Sequence, residues 1–433
     1  MAESPALSVG ESIPLDREDR REALRLALLF GTMYFVQGIG EPVAGLVAQP
    51  VRSLLKSWGE DAATIAAFSA VVSLPWSLKP LYGLLSDFVP FFGYRRRSYL
   101  IAASLVSIVG FLALYWFQPG PGRYTQFLLL LVGPTVAIAF SDVLVDALMV
   151  EKGQPRRLTG VLQSVQWGAS YGATLATGLV GGYLAQRSLE PLAFVICGLF
   201  SVLTLTLVWG FVSESRSTAR ESFLPVKEAL GQAVRSPALL GIAAFLFVWS
   251  VDPLSTTVVY LQVTEEMALS EQFFGLTLSL LAVGCILASV TYGLFCRRLP
   301  LLWLAHASIV LGALSQAAYW AMTGPISAGV IHVVVGWTWM TASLIQLDLA
   351  ARVCPAAAAA TVFAALMALT NLASSLGEWV GGSWYQALLD ARGGTVAFAT
   401  IVGASAAIKL SCWLLFLVLP QRWALSRQIV RVA

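Results

Sequence analysis

Charge is what this chain lacks. Asp, Glu, Lys and Arg together make up 12% of its 433 residues, about half the share near 25% that soluble domains carry. With 58% hydrophobic residues and a mean hydropathy of +0.76, the solvent it calls for is lipid. Cysteine is also sparse. Cys197, Cys285, Cys296, Cys354 and Cys412 fall singly in or beside apolar runs, with no C-x-x-C, which speaks against a disulfide framework or a zinc site. The two histidines, His306 and His332, have no metal spacing and read as structural. There is no phosphate loop and no G-x-S-x-G, so no catalytic residue, cofactor or metal is expected, and the protein does not read as an enzyme. No loop has room for a nucleotide-binding domain, so any transport must draw its energy from a gradient. The net charge of +3 gathers in loops and reports topology; no nucleic-acid surface is implied. Residues 1–23 are polar, and the first apolar run is too long for the core of a cleavable signal, so it reads as an uncleaved insertion signal.

What the chain does have is long apolar runs. A bilayer crossing takes about 20 apolar residues, and twelve stretches qualify: 24–48, 62–85, 98–117, 125–150, 158–185, 190–212, 238–262, 273–295, 301–322, 325–350, 357–388 and 395–419. An even number puts both termini on one side. Twenty of the 27 Lys and Arg then fall on that side and five on the other (Arg52, Lys56, Arg123, Arg187 and Arg392), while Lys79 and Lys409 fall inside spans. Positive charge resists translocation, so this bias predicts cytoplasmic termini in a cell (inner) membrane. The polar stretch 213–237 divides the chain into near-equal parts, which echo each other. Glu41-Pro42 answers Asp252-Pro253, Tyr82-Gly83 answers Tyr292-Gly293, and Val180-Gly181-Gly182 answers Val380-Gly381-Gly382. The expected fold is all-α and polytopic: a cytoplasmic segment 1–23, a six-helix bundle 24–212, a linker 213–237, a second pseudo-symmetric bundle 238–420 and a tail 421–433. That is the major facilitator architecture, which binds solute at the midplane between its halves.

The most pointed stretch is Trp76 to Leu100. Lys79-Pro80 lies where a span should avoid charge, Ser86-Asp87 ends the span, and Arg95-Arg96-Arg97 precedes the next. Ionisable groups held inside spans are functional candidates, because their insertion costs about 2.5–3.5 kcal/mol each on translocon scales. Asp142 and Asp146 share one helix face, with Glu151 just beyond. Lys79, Arg95, Arg96 and Arg97 are expected to pair with Asp87, Asp142, Asp146 and Glu151 as an inner gate, or as a permanent network pinning the helix ends. Glu41 and Asp252 each precede a proline near mid-depth, where the backbone is loosened. They are expected to bind substrate or carry a coupling proton, with Gln37, Gln166, Asp348 and Glu378 as polar lining. Trp167, Tyr171, Trp337 and Trp339 are aromatics able to stack a planar ligand. Lys409 has no partner that the sequence suggests.

Trp76, Lys79-Pro80, Tyr82-Gly83, Ser86-Asp87, Pro90, Gly93-Tyr94, Arg95-Arg96-Arg97 and Tyr99-Leu100, with the Asp142-x-x-x-Asp146-Ala147 element, resemble the folate–biopterin transporter family, a branch of the major facilitators. The resemblance implies a secondary active transporter that imports a folate or pterin by alternating access in symport with protons, working as a monomer in the bilayer. A pterin edge offers adjacent N–H donors that a carboxylate accepts in pairs, and its flat face suits aromatic stacking. The alternatives are a permease for another solute such as muropeptides, or a non-transporting membrane scaffold or assembly factor.

Overall fold

In a computed structural model of the protein, the described residues are 17–153, 156, 158–216, 231, 235–295, 301–353 and 359–418. Readings placed on Cys296, Cys354, the tail 421–433 and most of the linker fall outside them. Among the described residues the chain is helical apart from turns and one isolated bridge between Phe91 and Tyr94.

The N-terminal half contains α1 (Arg17–Gly40), α2 (Ala48–Ser57), α3 (Ala62–Ser73), α4 (Lys79–Phe88), α5 (Arg97–Phe117), α6 (Tyr124–Gly153), α7 (Thr159–Gln186) and α8 (Glu190–Phe211). The C-terminal half contains α9 (Pro237–Ser250), α10 (Thr256–Leu261), α11 (Glu271–Phe295), α12 (Leu301–Ala317), α13 (Pro325–Val353), α14 (Ala359–Arg392) and α15 (Gly394–Val418). Among the described residues, eight segments are long and apolar enough by themselves to cross a membrane: Arg20–Gly40, Ala62–Phe88, Arg97–Phe117, Tyr124–Gly153, Glu190–Phe211, Glu271–Tyr292, Pro325–Ala350 and Gly394–Leu415. A shorter apolar helix covers Leu239–Ser250. Helix also stands at the other stretches predicted to cross, as α7, α12 and α14. Their outward faces are apolar, as lipid demands, and exposed aromatics sit at both ends: Trp209 and Trp303 at the end that carries the linker, Trp116 and Trp384 at the far end.

Two of the stretches read as single spans are broken, and the break falls at the same motif in each half. Residues 41–47 separate α1 from α2, starting at Glu41-Pro42, and 251–255 separate α9 from α10 around Asp252-Pro253. Proline has no N–H to give and crowds the preceding turn, so a helix ends there unless its neighbours compensate. Span 2 is interrupted as well: a 3-10 turn, Leu74–Leu78, joins α3 to α4.

The two breaks are covered by glycines from the third echo. Gly181 of α7 lies against Leu46, and Gly381 of α14 against Pro253, so close that a Cβ at Gly381 would collide with the Pro253 carbonyl. The next glycine joins the halves. Gly182 packs on Gly275 of α11, and Gly382 packs on Ala66 of α3. Small residues let backbones approach where no knob could fit. The duplicated Val-Gly-Gly therefore does the same work twice: it seats the broken span of its own half and closes on the opposite half.

Candidate functional site

The first polar cluster lies inside the N-terminal half. Lys79 opens α4, and its Nζ donates to Asp142 Oδ2 of α6 at 2.6 Å. One turn along, Asp146 Oδ1 accepts from the Tyr34 hydroxyl of α1 at 2.5 Å and from Gln166 Nε2 of α7 at 3.1 Å. Glu41, at the break after α1, has Asp142 and Lys79 as its electrostatic neighbours. Among the described residues its side chain makes no hydrogen bond or ion pair. Gln37, one turn before it, is buried at 8% exposure with both amide atoms unpartnered among the described residues. Three carboxylates thus face one ammonium, an imbalance that is expensive in a low-dielectric interior.

The C-terminal half resolves the same motif differently. Asp252 Oδ2 is paired with Lys409 of α15 at 3.2 Å and accepts from Gln316 Nε2 of α12 at 2.7 Å. Lys409 is only 1% exposed and also donates to the Trp249 carbonyl while lying 4.7 Å from that ring's centre. The lysine without a suggested partner is therefore the counter-ion of Asp252. No local signal could have announced a pair separated by this much sequence. Asp348 is half-buried toward the linker end of α13. Glu378 lies elsewhere, where the two halves meet.

That meeting place is a third cluster, at the far end. Gln49, Arg52 and Lys56 stand on one face of α2 at helical spacing. Gln49 Nε2 donates to the Glu271 carbonyl at 2.6 Å, and Lys56 pairs with Glu265 at 2.9 Å and Glu271 at 3.0 Å. The Tyr260 hydroxyl adds a 2.6 Å bond to Glu271. Arg52 Nε donates to Thr257 Oγ1 at 3.3 Å, and Thr257 in turn donates to Glu378 at 2.7 Å. The sequence places Arg52 among the loop charges, and the structure corrects this. It is buried at 3% exposure inside α2, between the halves. The spacing of Gln49, Arg52 and Lys56 is the available signal, and reading the two cations as a topological marker conceals it. Further bonds between the halves, Ala62 N–H to Gln386 and Ser73 to Ser375, lie along α3 and α14.

The linker end has its own network. Arg96, 7% exposed, reaches Ser86, Asp87 and Glu151. The backbone N–H groups of Arg95, Arg96 and Arg97 all donate to the Glu214 carboxylate, which caps the start of α5. Among the described residues the Arg97 guanidinium donates to the Trp209 carbonyl and pairs with no acid. The loop before it is a two-residue reversal, with Phe92 and Gly93 both at positive φ and paired bonds between Phe91 and Tyr94. Gly93 suits that turn because it has no Cβ to strain. The partners described for this network all belong to the N-terminal half or to the chain leaving it, so the contacts pin α4, α5 and α6 to one another.

Two helical halves, each with a span broken at an acid–proline pair and polar groups at the breaks, define a transporter of the major facilitator type. The solved structures agree in fold. A single-residue mutant of the nucleoside transporter NupG superposes with a TM-score of 0.71 over 90% of this chain and 100% of that one at 12% identity. A D-xylose-proton symporter does so with 0.68 over 94% and 99% at 16% identity. The sequence narrows this further. Residues 37–322 match the BT1 family, and the chain belongs to that family. It is 33% identical over 380 residues to the folate-biopterin transporter of Synechocystis sp., covering 82% of this chain and 73% of that protein. It is 21% identical over 298 residues to folate transporter 2 of Plasmodium falciparum, covering 68% and 64%. The chain is thus a multi-pass membrane transporter for a small molecule. The family match takes in Gln37, Glu41, Lys79, Asp142, Asp146 and Asp252 and ends before Glu378 and Lys409.

Proposed function

We propose that the protein imports a pterin or folate by alternating access in symport with protons. Its linker end faces the cytoplasm, and this conformation is closed at the outer, far end. The observation that carries the reading is the unequal treatment of the duplicated acid. Asp252 has a lysine of its own, whereas Glu41, Asp142 and Asp146 share Lys79. An unpaired buried carboxylate is not tolerated cheaply, and a proton is the simplest cation to balance it. In this reading Glu41 takes the proton, and Asp142 and Asp146, with Gln166 and Tyr34, hold Lys79 within reach. Asp252 anchors the second break without exchanging anything. The substrate class rests on the family and on the names of its relatives. The bonds between the halves at α2, α10 and α14 support a closed outer side, and the Arg96 network serves to keep the N-terminal half rigid as it rocks.

The test is uptake into reconstituted vesicles under an imposed pH gradient. Wild type should accumulate biopterin or folate when the outside is acidic. Glu41→Gln should still exchange solute for solute but lose accumulation driven by the gradient, and Asp252→Asn should keep whatever gradient response its stability permits. Gradient-driven accumulation by Glu41→Gln at the wild-type level would remove the proton from this site.

A further inference from the structure

We propose that Trp167 and Tyr171 of α7 form the wall against which a flat, nitrogen-rich heterocycle stacks, and that the Trp167 ring selects for such solutes; this rests on the substrate reading above. Helix geometry gives the direction. Successive residues turn by about 100°. Val165 and Ala169 face the lipid flank of α1, where they line a shallow apolar groove with Leu24 and Leu28. Gln166 points to Asp146 inside the N-terminal half. Tyr171 points to the opposite half, its hydroxyl 2.6 Å from the Met340 sulfur of α13. Trp167 falls in the sector between Gln166 and Tyr171, away from the lipid-facing groove, and so looks into the space between the halves. It is 38% exposed, and its ring stacks on Tyr171 with centroids 5.9 Å apart and planes 22° from parallel.

The depth also fits. Gly31 lies against Val165 and Gly38 against Ala173, which sets the register of α1 and α7. By that register Tyr171 is level with Gln37, whose buried amide has no partner among the described residues. Glu41 is one turn farther on, about 6 Å at 1.5 Å per residue. A bicyclic ring lying on the Trp167–Tyr171 pair spans the turn below that level and brings its N–H edge to the level of Gln37, with Glu41 one turn beyond.

The experiment measures binding of biopterin and folate to the purified full-length protein by calorimetry, comparing wild type with Trp167→Phe, Trp167→Leu and Trp167→Ala. Aromatic–base stacking lost to alanine is worth about one to two decades in affinity. Phe, which keeps a flat ring, should bind within about threefold of wild type. Leu and Ala should bind about tenfold or more weakly, with melting temperatures unchanged because the side chain is partly exposed. If Leu binds as well as Phe, the ring plane is irrelevant and the inference falls, while the transport reading stands. If wild type binds neither solute, the substrate reading falls and takes the stacking wall with it.

Discussion

Glu378 offers the sharpest test of the closed far end. In this conformation the Arg52 guanidinium is buried between the halves, held by Thr257 and the Val43 carbonyl, with Glu378 on the other side of Thr257. Glu378→Gln removes the carboxylate of that relay and leaves the cation in place. Breaking one partner of a fully buried pair costs about 3–5 kcal/mol. Here the two remaining acceptors soften the loss, and a figure of about 2 kcal/mol is reasonable, or roughly 30-fold in population at 1.4 kcal/mol per decade. The penalty applies only to the closed state, because opening hydrates both groups. The equilibrium should therefore move toward an open far end. Ser375→Cys reports it: Ser375 is buried, faces Ser73 across the interface, and differs from cysteine by one atom. With the native cysteines replaced by serine, a membrane-impermeant maleimide added from the far side should modify the introduced thiol about 30 times faster when Glu378→Gln is present. Adding Arg52→Gln should reverse most of that gain, since the uncompensated charge is gone and the two changes cannot be independent. A rate within twofold of the background, or a double variant faster than either single one, would refute the relay as a lock.

Two further outcomes follow from the same geometry. Lys409→Met should strand Asp252 at the second break and lower the melting temperature of the detergent-purified protein by several degrees, whereas Lys409→Met with Asp252→Asn should recover most of it; a double variant no more stable than the single one would dissolve the pair. Gly275→Val should hold the far end apart, because even a Cβ at that position would collide with the Gly178 carbonyl. Maleimide labelling of the Ser375→Cys thiol should then rise and uptake should fall, and unchanged labelling would show that the α7–α11 contact is not part of closure.

Much of the architecture was legible in the order of residues because lipid imposes a simple rule: every buried backbone group must bond within its own helix. Length and hydropathy therefore mark the helices. The acid–proline pairs marked where the backbone is loosened, but each stretch read as one span, and the Val-Gly-Gly echo marked the duplication without the contacts it makes. The spacing of Asp142 and Asp146 placed both on one face of α6, and Lys79 does meet Asp142. Partner choice was not legible. That Asp252 owns Lys409 while Glu41 shares a lysine with two other acids, that Arg52 is an interior residue linking two halves, and that Glu214 caps α5 are facts about which helices become neighbours. A duplicated sequence presents both acids identically; only packing, which sets how many cations stand within a few ångströms of each, makes them different.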